Sequence, residues 1–440
     1  MIKHLALLAA ILLTTGNLSA ETDVAVARRA WFEDARFGLF VCWGPYSILG
    51  GTWNGHTLPD KSLPHGDSGY AEWAWQRLEI PNATYRAIAK IFNPVNFDAE
   101  DLVQEAQRAG MKYIVITAKF HDGFALWDSK VSDFDIAATP CKRDILGELA
   151  AACRKHGIKL GFYYSHWQDW ESPGGAKPYW KPQPTDEQFE TYWKGKALPQ
   201  VAELIERYDP DMFWFDTWGN AAVKQITPAR RDAMIHLIRT KSPRCLINGR
   251  IAAHNPGKDV DFLEMNDNEQ ARQWPGIPWQ SPATMNNSWG WHATDYAWKP
   301  SGEMIRLLTQ CAALGGNYLL NIGPKVDGSI PAPALRRLRE IGGWMAANGA
   351  SVQNTTRGGQ ALWGWWTHSK DDSVRYAHVH NWPTNELLPL EVPDKIPTSA
   401  DILETKQPLE VIKHEGAWYI RIPKNAPDVW DTVLELRLSK

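Results

Sequence analysis

Cysteine is scarce in this chain. The five cysteines, Cys42, Cys141, Cys153, Cys245 and Cys311, stand far apart. None form a C-x-x-C pair, which argues against a zinc cluster or a dithiol redox motif. Their odd number leaves at least one thiol unpaired, and most are expected as small buried apolar residues. A basic excess is also missing. Lys and Arg number 47 against 50 Asp and Glu, for a formal net charge of −3. With no basic run either, nothing points to a nucleic-acid partner. Beyond the first twenty residues no apolar run reaches the roughly 18 residues of a membrane span, so no membrane insertion is expected. The chain contains no Gly-rich phosphate loop, no dinucleotide fingerprint and no G-x-S-x-G elbow, so no cofactor is expected.

Tryptophan, by contrast, is abundant, at 24 of 440 residues. Cores are mostly built from Leu, Ile and Val, so part of this excess suggests platforms for flat-faced ligands, of which sugar rings are one kind. The N-terminal stretch MIKHLALLAAILLTTGNLSA has Lys3, an apolar Leu5–Leu13 and the small-residue site Leu18-Ser19-Ala20. It reads as a cleavable signal peptide spanning residues 1–20, which implies a periplasmic or secreted protein.

Residues 21–350 alternate between strand and helix signals. The strands are Phe37–Trp43, Met111–Ala118, Lys159–Ser165, Asp211–Asp216, Arg244–Arg250, Asp261–Asn266 and Asn317–Ile322. Helical stretches separate them, including Asp144–Gly157 with an Asp N-cap and a Gly C-cap, and Glu187–Tyr208, interrupted near Pro199. This is the pattern of a (β/α)8-type TIM barrel. Only about seven strands are legible, which leaves room for an irregular barrel. Residues 351–440 carry short alternating runs that predict a C-terminal antiparallel β-sandwich.

The polar residues gather just past the strands: Cys42 and Trp43, His121 and Asp122, His166 with Asp169 and Trp170, Asp216 with Trp218, Arg250, the run Asn266 to Glu269, and Asn321. Each alone has a structural explanation, a helix cap or a buried hydrogen bond. Stability alone does not require them to collect at one end of a barrel, whereas catalysis does. His121, Asp122 and His166 fit no tight metal-ligand motif, so no metal is expected. Carboxylates among tryptophans are the equipment of a glycosidase, with one attacking or stabilising the sugar centre and the other donating a proton to the leaving oxygen. Asp216 ends the apolar run MFWFD and is the first candidate. Glu264, Asp267 and Glu269 compete for the second role.

Several collinear stretches resemble the α-L-fucosidases of glycoside hydrolase family 29. They are RFGLFVCWGPYS, the segment FNPVNF through LWDS, GFYYSHWQDW, ERYDPDMFWFDTWGN, the SWGW at Ser288–Trp291 and GGNYLLNIGPKVDGSIP. The resemblance implies a barrel with a C-terminal β-sandwich and a retaining exo-glycosidase acting through a covalent glycosyl-aspartate. It places Asp216 on the family's nucleophile. Glu269 best matches the acid/base segment, with Glu264 in reserve and Asp267 behind it. Cys42, Trp43, Glu72, Trp73, Phe120, His121, Tyr164, Trp218, Arg250 and Trp289 fall on or near the sugar-binding wall, with a carbohydrate as the partner.

Departures from the family pattern are specific. Cys42 stands where the family usually has a histidine before Trp-Gly, Phe120 where it has the first of two histidines, and Gln280 where it has a glutamate. A thiol is a weak hydrogen-bonder and a phenyl ring makes no such bond. Three readings stay open: a fucosidase with a changed pocket for a substituted fucose or L-galactose, an ordinary fucosidase, and a catalytically weakened sugar-binding protein.

Overall fold

The structure is a computed structural model that describes residues 24–252, 255–390 and 395–438. The expected signal peptide lies outside the described residues. Among them, no helix is long and apolar enough to cross a membrane.

Eight parallel strands organise the first part of the chain: β1 (Phe37–Val41), β2 (Tyr113–Lys119), β3 (Lys159–Tyr164), β4 (Met212–Phe215), β5 (Leu246–Ile247), β6 (Leu263–Glu264), β7 (Trp279–Thr284) and β8 (Asn317–Ile322). They pair in the order β5-β4-β3-β2-β1-β8-β7-β6. A single parallel bridge between Asn248 and Phe262 joins the two ends. The sheet therefore curls round on itself, and its weakest seam lies between its two shortest strands. The long strands are apolar and buried on both faces, as parallel strands covered by helices must be. All seven residues of β2 and all six of β8 are buried.

Local signals set the helices. Asp144 caps the helix Ile145–His156 by accepting a hydrogen bond from the Gly147 amide, and Gly157 ends it in the left-handed region at φ 67°, where glycine carries no Cβ penalty. The expected interruption near Pro199 is a π-turn, Trp193–Ala197, between Asp186–Tyr192 and Leu198–Tyr208.

Two expectations need correction. The strand β7, WQSPAT, has too much polar and proline content to read as a strand. Pro282 is tolerated because the neighbouring β6 pairs only with Trp279 and Gln280, so no ladder partner there needs the missing N–H. The expected strand Arg244–Arg250 shrinks to Leu246–Ile247, because Gly249–Ile251 turns into a 3-10 helix. That turn swings Arg250 into the barrel mouth.

The C-terminal part is one antiparallel sheet of eight strands. Its two halves enclose a second apolar core that includes Trp363, Trp366, Leu388, Ile420, Leu434 and Leu436. It docks on the barrel's last two helices, where Arg306 donates to the Trp430 carbonyl at 2.7 Å and Trp344 to the Asp431 carbonyl at 2.9 Å. Strands Thr355–Ala361, Gly364–Ser369 and Pro397–Ile402 also escape the sequence reading, being polar or glycine-rich.

Candidate active site

A cavity of about 740 Å³ opens at the C-terminal ends of the barrel strands, the end where barrels of this kind carry their chemistry. Its lining comes entirely from the barrel part of the chain.

Asp216 follows directly on β4. Side chains alternate along a strand, so Trp214 and Asp216 share the inner face, and both line the cavity. Strand register carries this face across to β3, where Tyr163 pairs with Trp214 and Tyr164 with Phe215. Tyr163 donates its hydroxyl to Asp216 Oδ2 at 2.9 Å. Arg250 Nη1 donates to Asp216 Oδ1 at 3.1 Å, while Nη2 donates to Asp267 Oδ1 at 2.8 Å and to the Met265 carbonyl at 2.8 Å. Burial raises the Asp216 carboxyl to about 6, against the opposing pull of the Arg250 guanidinium.

His121 Nδ1 lies 2.6 Å from Ser165 Oγ, whose hydroxyl donates to the Gln168 carbonyl at 2.8 Å. Ser165 spends its one proton on that carbonyl, so Nδ1 carries the imidazole proton and Nε2 is a bare acceptor. Burial, with Lys119 and His166 nearby, pushes the imidazole well below its ordinary value. The 3.7 Å approach of Nε2 to Asp216 Oδ2 is therefore a neutral contact rather than an ion pair.

Two glutamates share the cavity. Glu264 ends β6 and accepts from the Arg250 amide at 3.2 Å through Oε2, while its buried Oε1 has no hydrogen-bond partner among the described residues. Burial raises it to about 8, Arg250 opposing and Asp216 adding to the rise. Glu72 accepts from the Gly290 amide at 2.8 Å and the Ser288 hydroxyl at 3.2 Å. Burial lifts it to about 7. The SWGW stretch thus holds Glu72 with Ser288 and Gly290 and offers Trp289 to the cavity.

Cys42, Glu72, Trp73, Phe120, His121, Asp216, Trp218, Arg250, Trp289, Glu264 and Asp267 all line the cavity, as the sequence predicts. Three predicted residues do not. Trp43 points away from it, stacked on Phe97 and donating to the Lys325 carbonyl at 3.0 Å, because Phe40 and Cys42 take the inner positions of β1 and its extension. Tyr164 likewise faces outward, donating to Gln200 at 2.8 Å. Glu269 is exposed on the loop after β6, where it accepts from Asn266 at 2.9 Å. His166 accounts for itself structurally, with Nε2 2.8 Å from the Ile251 carbonyl, and Asp122 accepts from Tyr85 at 2.7 Å. Among the described residues, all five cysteines are free and buried.

Residues 12–350 match the sequence model described as Alpha-L-fucosidase. The chain belongs to the α-L-fucosidase family. Its members are glycoside hydrolases, and so is this chain. The rat tissue alpha-L-fucosidase is 29% identical over 375 residues, which is 82% of this chain and 78% of the relative. An alpha-L-fucosidase from Vibrio sp. strain EJY3 superposes with a TM-score of 0.85 at 30% identity, over 94% of this chain and 73% of the other. A family 29 enzyme from Bacteroides thetaiotaomicron, solved as a covalent intermediate trapped with 2-fluoro-fucosyl fluoride in a glutamate-to-glutamine mutant, matches with a TM-score of 0.84 at 28% identity, over 94% and 96%. Family membership and the intact carboxylate cavity leave nothing in favour of the weakened sugar-binding reading.

Tyr163, Trp214, Tyr70, Arg77, Tyr179 and Trp180 also line the cavity and escaped the sequence reading. For Trp214 the signal was available, since it lies two residues before Asp216 on one strand. For Tyr163 the choice between neighbouring tyrosines needed the cross-strand register. For Tyr179 and Trp180 the loop sequence gave no signal.

Proposed function

We propose that this cavity hydrolyses terminal α-L-fucosyl residues with retention of configuration, with Asp216 as nucleophile and Glu264 as acid/base. The observation that carries the reading is the contrast between the two carboxyl groups. Asp216 receives hydrogen bonds from a tyrosine and an arginine, which stabilise its ionised form. Glu264 keeps one buried oxygen without a partner among the described residues, and burial raises its carboxyl to about 8, which favours the protonated form. Environments that push two carboxyls apart divide the acid and base roles between them. In the first step the Asp216 carboxylate bonds to the anomeric carbon as Glu264 passes its proton to the leaving oxygen. In the second, Glu264 takes a proton from water, which attacks the same carbon and releases Asp216. Glu264 replaces Glu269 in this role because Glu269 lies outside the cavity lining.

The floor of the cavity supports a finer reading of the sugar. Cys42 Sγ sits 3.3 Å from Tyr46 Oη, and Phe120 stacks on Tyr163 at 5.8 Å and meets Tyr46 edge-on at 5.2 Å. Neither side chain offers a good hydrogen bond to a hydroxyl. The site is suited to a fucose substituted at a hydroxyl, or to L-galactose, beside plain fucose. The leader-like N-terminus supports export to the periplasm or medium, checked by the N-terminal mass of the mature protein.

The test is hydrolysis of 4-nitrophenyl α-L-fucoside beside the L-galactoside and acylated or sulfated fucosides. Asp216→Asn abolishes turnover of all of them. Glu264→Gln slows poor leaving groups far more than good ones, and azide restores rate. Azide rescue in Glu269→Gln or Glu72→Gln instead would reassign the acid/base, and fast turnover of plain fucoside alone would remove the substituted-sugar reading.

A further inference from the structure

Four aromatic rings that line the cavity form a connected strip. Trp218 lies beside Asp216, with its ring centroid 6.1 Å from that of Trp73. Trp73 is 6.0 Å from Trp180, and Trp180 is 4.9 Å from Tyr179. All four rings line the one cavity. Trp73 and Trp218 also flank His121, at 5.5 and 5.2 Å, and Trp180 and Tyr179 continue the strip from Trp73.

The middle of the strip, Trp73 and Trp180, is braced. Trp180 stacks on His65 at 4.4 Å with an interplanar angle of 17°. The Arg77 guanidinium lies 5.5 Å from both the Trp73 and Trp180 rings and is held by Asp67 at 2.9 Å and the His65 carbonyl at 2.6 Å. An ordinary aromatic core cluster would hide its rings, yet Tyr179 is 80% exposed and Trp218 37% exposed. Large aromatics held rigid and wet at a cavity mouth are suited to a ligand with one apolar face and a polar rim. A pyranose has this form: C–H groups on its faces meet the electron-rich ring, and hydroxyls around its edge stay in water.

We propose that this strip is a leaving-group subsite, in which Tyr179, Trp180 and Trp218 receive the pyranose rings of a carbohydrate aglycone. The substrate is then an oligosaccharide rather than the fucoside of a small alcohol. This rests on the reading of Asp216 and Glu264 as the reacting pair.

The test compares α-L-fucosyl fluoride, whose leaving group cannot reach the strip, with fucosylated lactose and N-acetylglucosamine derivatives in 1→2, 1→3 and 1→6 linkage. Tyr179→Ala and Trp180→Ala each lower kcat/KM on the favoured oligosaccharide by about three- to tenfold. Turnover of the fluoride stays within about twofold, and Trp180→Phe recovers most of the loss. Tyr179 is so exposed that its truncation leaves the fold intact. Equal losses on both substrate types, no loss on the oligosaccharide, or a wild-type enzyme that takes the fluoride but none of the panel would overturn the subsite. A wild-type enzyme inert toward the fluoride would instead overturn the catalytic reading itself.

Discussion

Tyr163, on β3, and Asp216, directly after the neighbouring β4, meet hydroxyl to carboxylate at 2.9 Å. The bond depends on register, since Tyr163 pairs with Trp214, two residues before Asp216. Tyr163→Phe removes one of the two donors on this carboxylate. Hydrogen bonds to charged groups contribute about 1.5–3 kcal/mol, so kcat/KM falls at least about tenfold. The acid limb of the pH–rate profile also moves upward, because the ionised carboxylate has lost a stabilising partner. A profile with an unmoved acid limb would show that this bond does not tune Asp216.

The two carboxyls set a bell-shaped profile. Turnover needs Asp216 ionised and Glu264 protonated, and burial holds them at about 6 and about 8. The expected kcat/KM profile therefore rises near pH 6 and falls near pH 8. Glu264→Gln removes the falling limb on substrates with good leaving groups, whereas Glu72→Gln keeps it. The measurement is kcat/KM from pH 4 to 10 on the nitrophenyl fucoside.

The same shift on Glu264 has a sign for stability. Its folded value lies above the ordinary 4.5, so the unfolded chain ionises first as pH rises. Folding loses stability from about pH 4.5 upward, and the loss is complete only above about pH 8. Glu264→Gln should accordingly raise the melting temperature at pH 8 and change it little at pH 4. A uniform shift at both pH values would show that ionisation of Glu264 carries no such cost.

Below the site, Asp169 is fully buried between Lys119 Nζ at 3.0 Å and Lys196 Nζ at 2.9 Å. It also fixes the turn that carries Trp170. At Gly123, φ is 86° and an added Cβ would fall 2.3 Å from Asp169 Oδ1, so chain and carboxylate are mutually fitted. Asp169→Ala leaves the fully buried Lys119 without its counter-charge and destabilises by about 3–5 kcal/mol. Urea unfolding monitored by tryptophan fluorescence reads this directly, and a loss below about 1 kcal/mol would contradict it.

Phe120→His tests the apolar floor. A histidine there introduces a hydrogen-bonding group beside Tyr163 and Tyr46. If one bond to a sugar hydroxyl is regained, kcat/KM for plain α-L-fucoside rises by about tenfold, while that for the substituted sugar falls. Opposite movements on the two substrates are the expected outcome, and parallel movements would remove the floor from the account of specificity.

Local rules made much of this legible before folding. The short apolar run ending in Asp216, the Asp144 cap and the Gly157 stop each depend on residues close in sequence, and each stands where expected. WQSPAT failed as a strand signal because its strand propensity is overridden by pairing with β8 and by the early end of β6. Trp43 and Tyr164 failed by one position each, since a one-residue change of parity turns a side chain from the cavity to the helix layer.

Sequence alone determined the barrel class, the carboxylate at the end of β4, the ring of polar residues at one rim and the weak hydrogen-bonders Cys42 and Phe120 in the cavity wall. These follow from periodicity, composition and collinear motifs, which do not depend on distant contacts. Only the tertiary structure decided that Tyr163 rather than Tyr164 bonds Asp216, that Glu264 rather than Glu269 enters the cavity, and that Tyr179 and Trp180 come to its mouth. Those choices depend on strand register, on where β5 and β6 stop, and on how a long loop folds back. Each is set by packing between residues far apart in the chain.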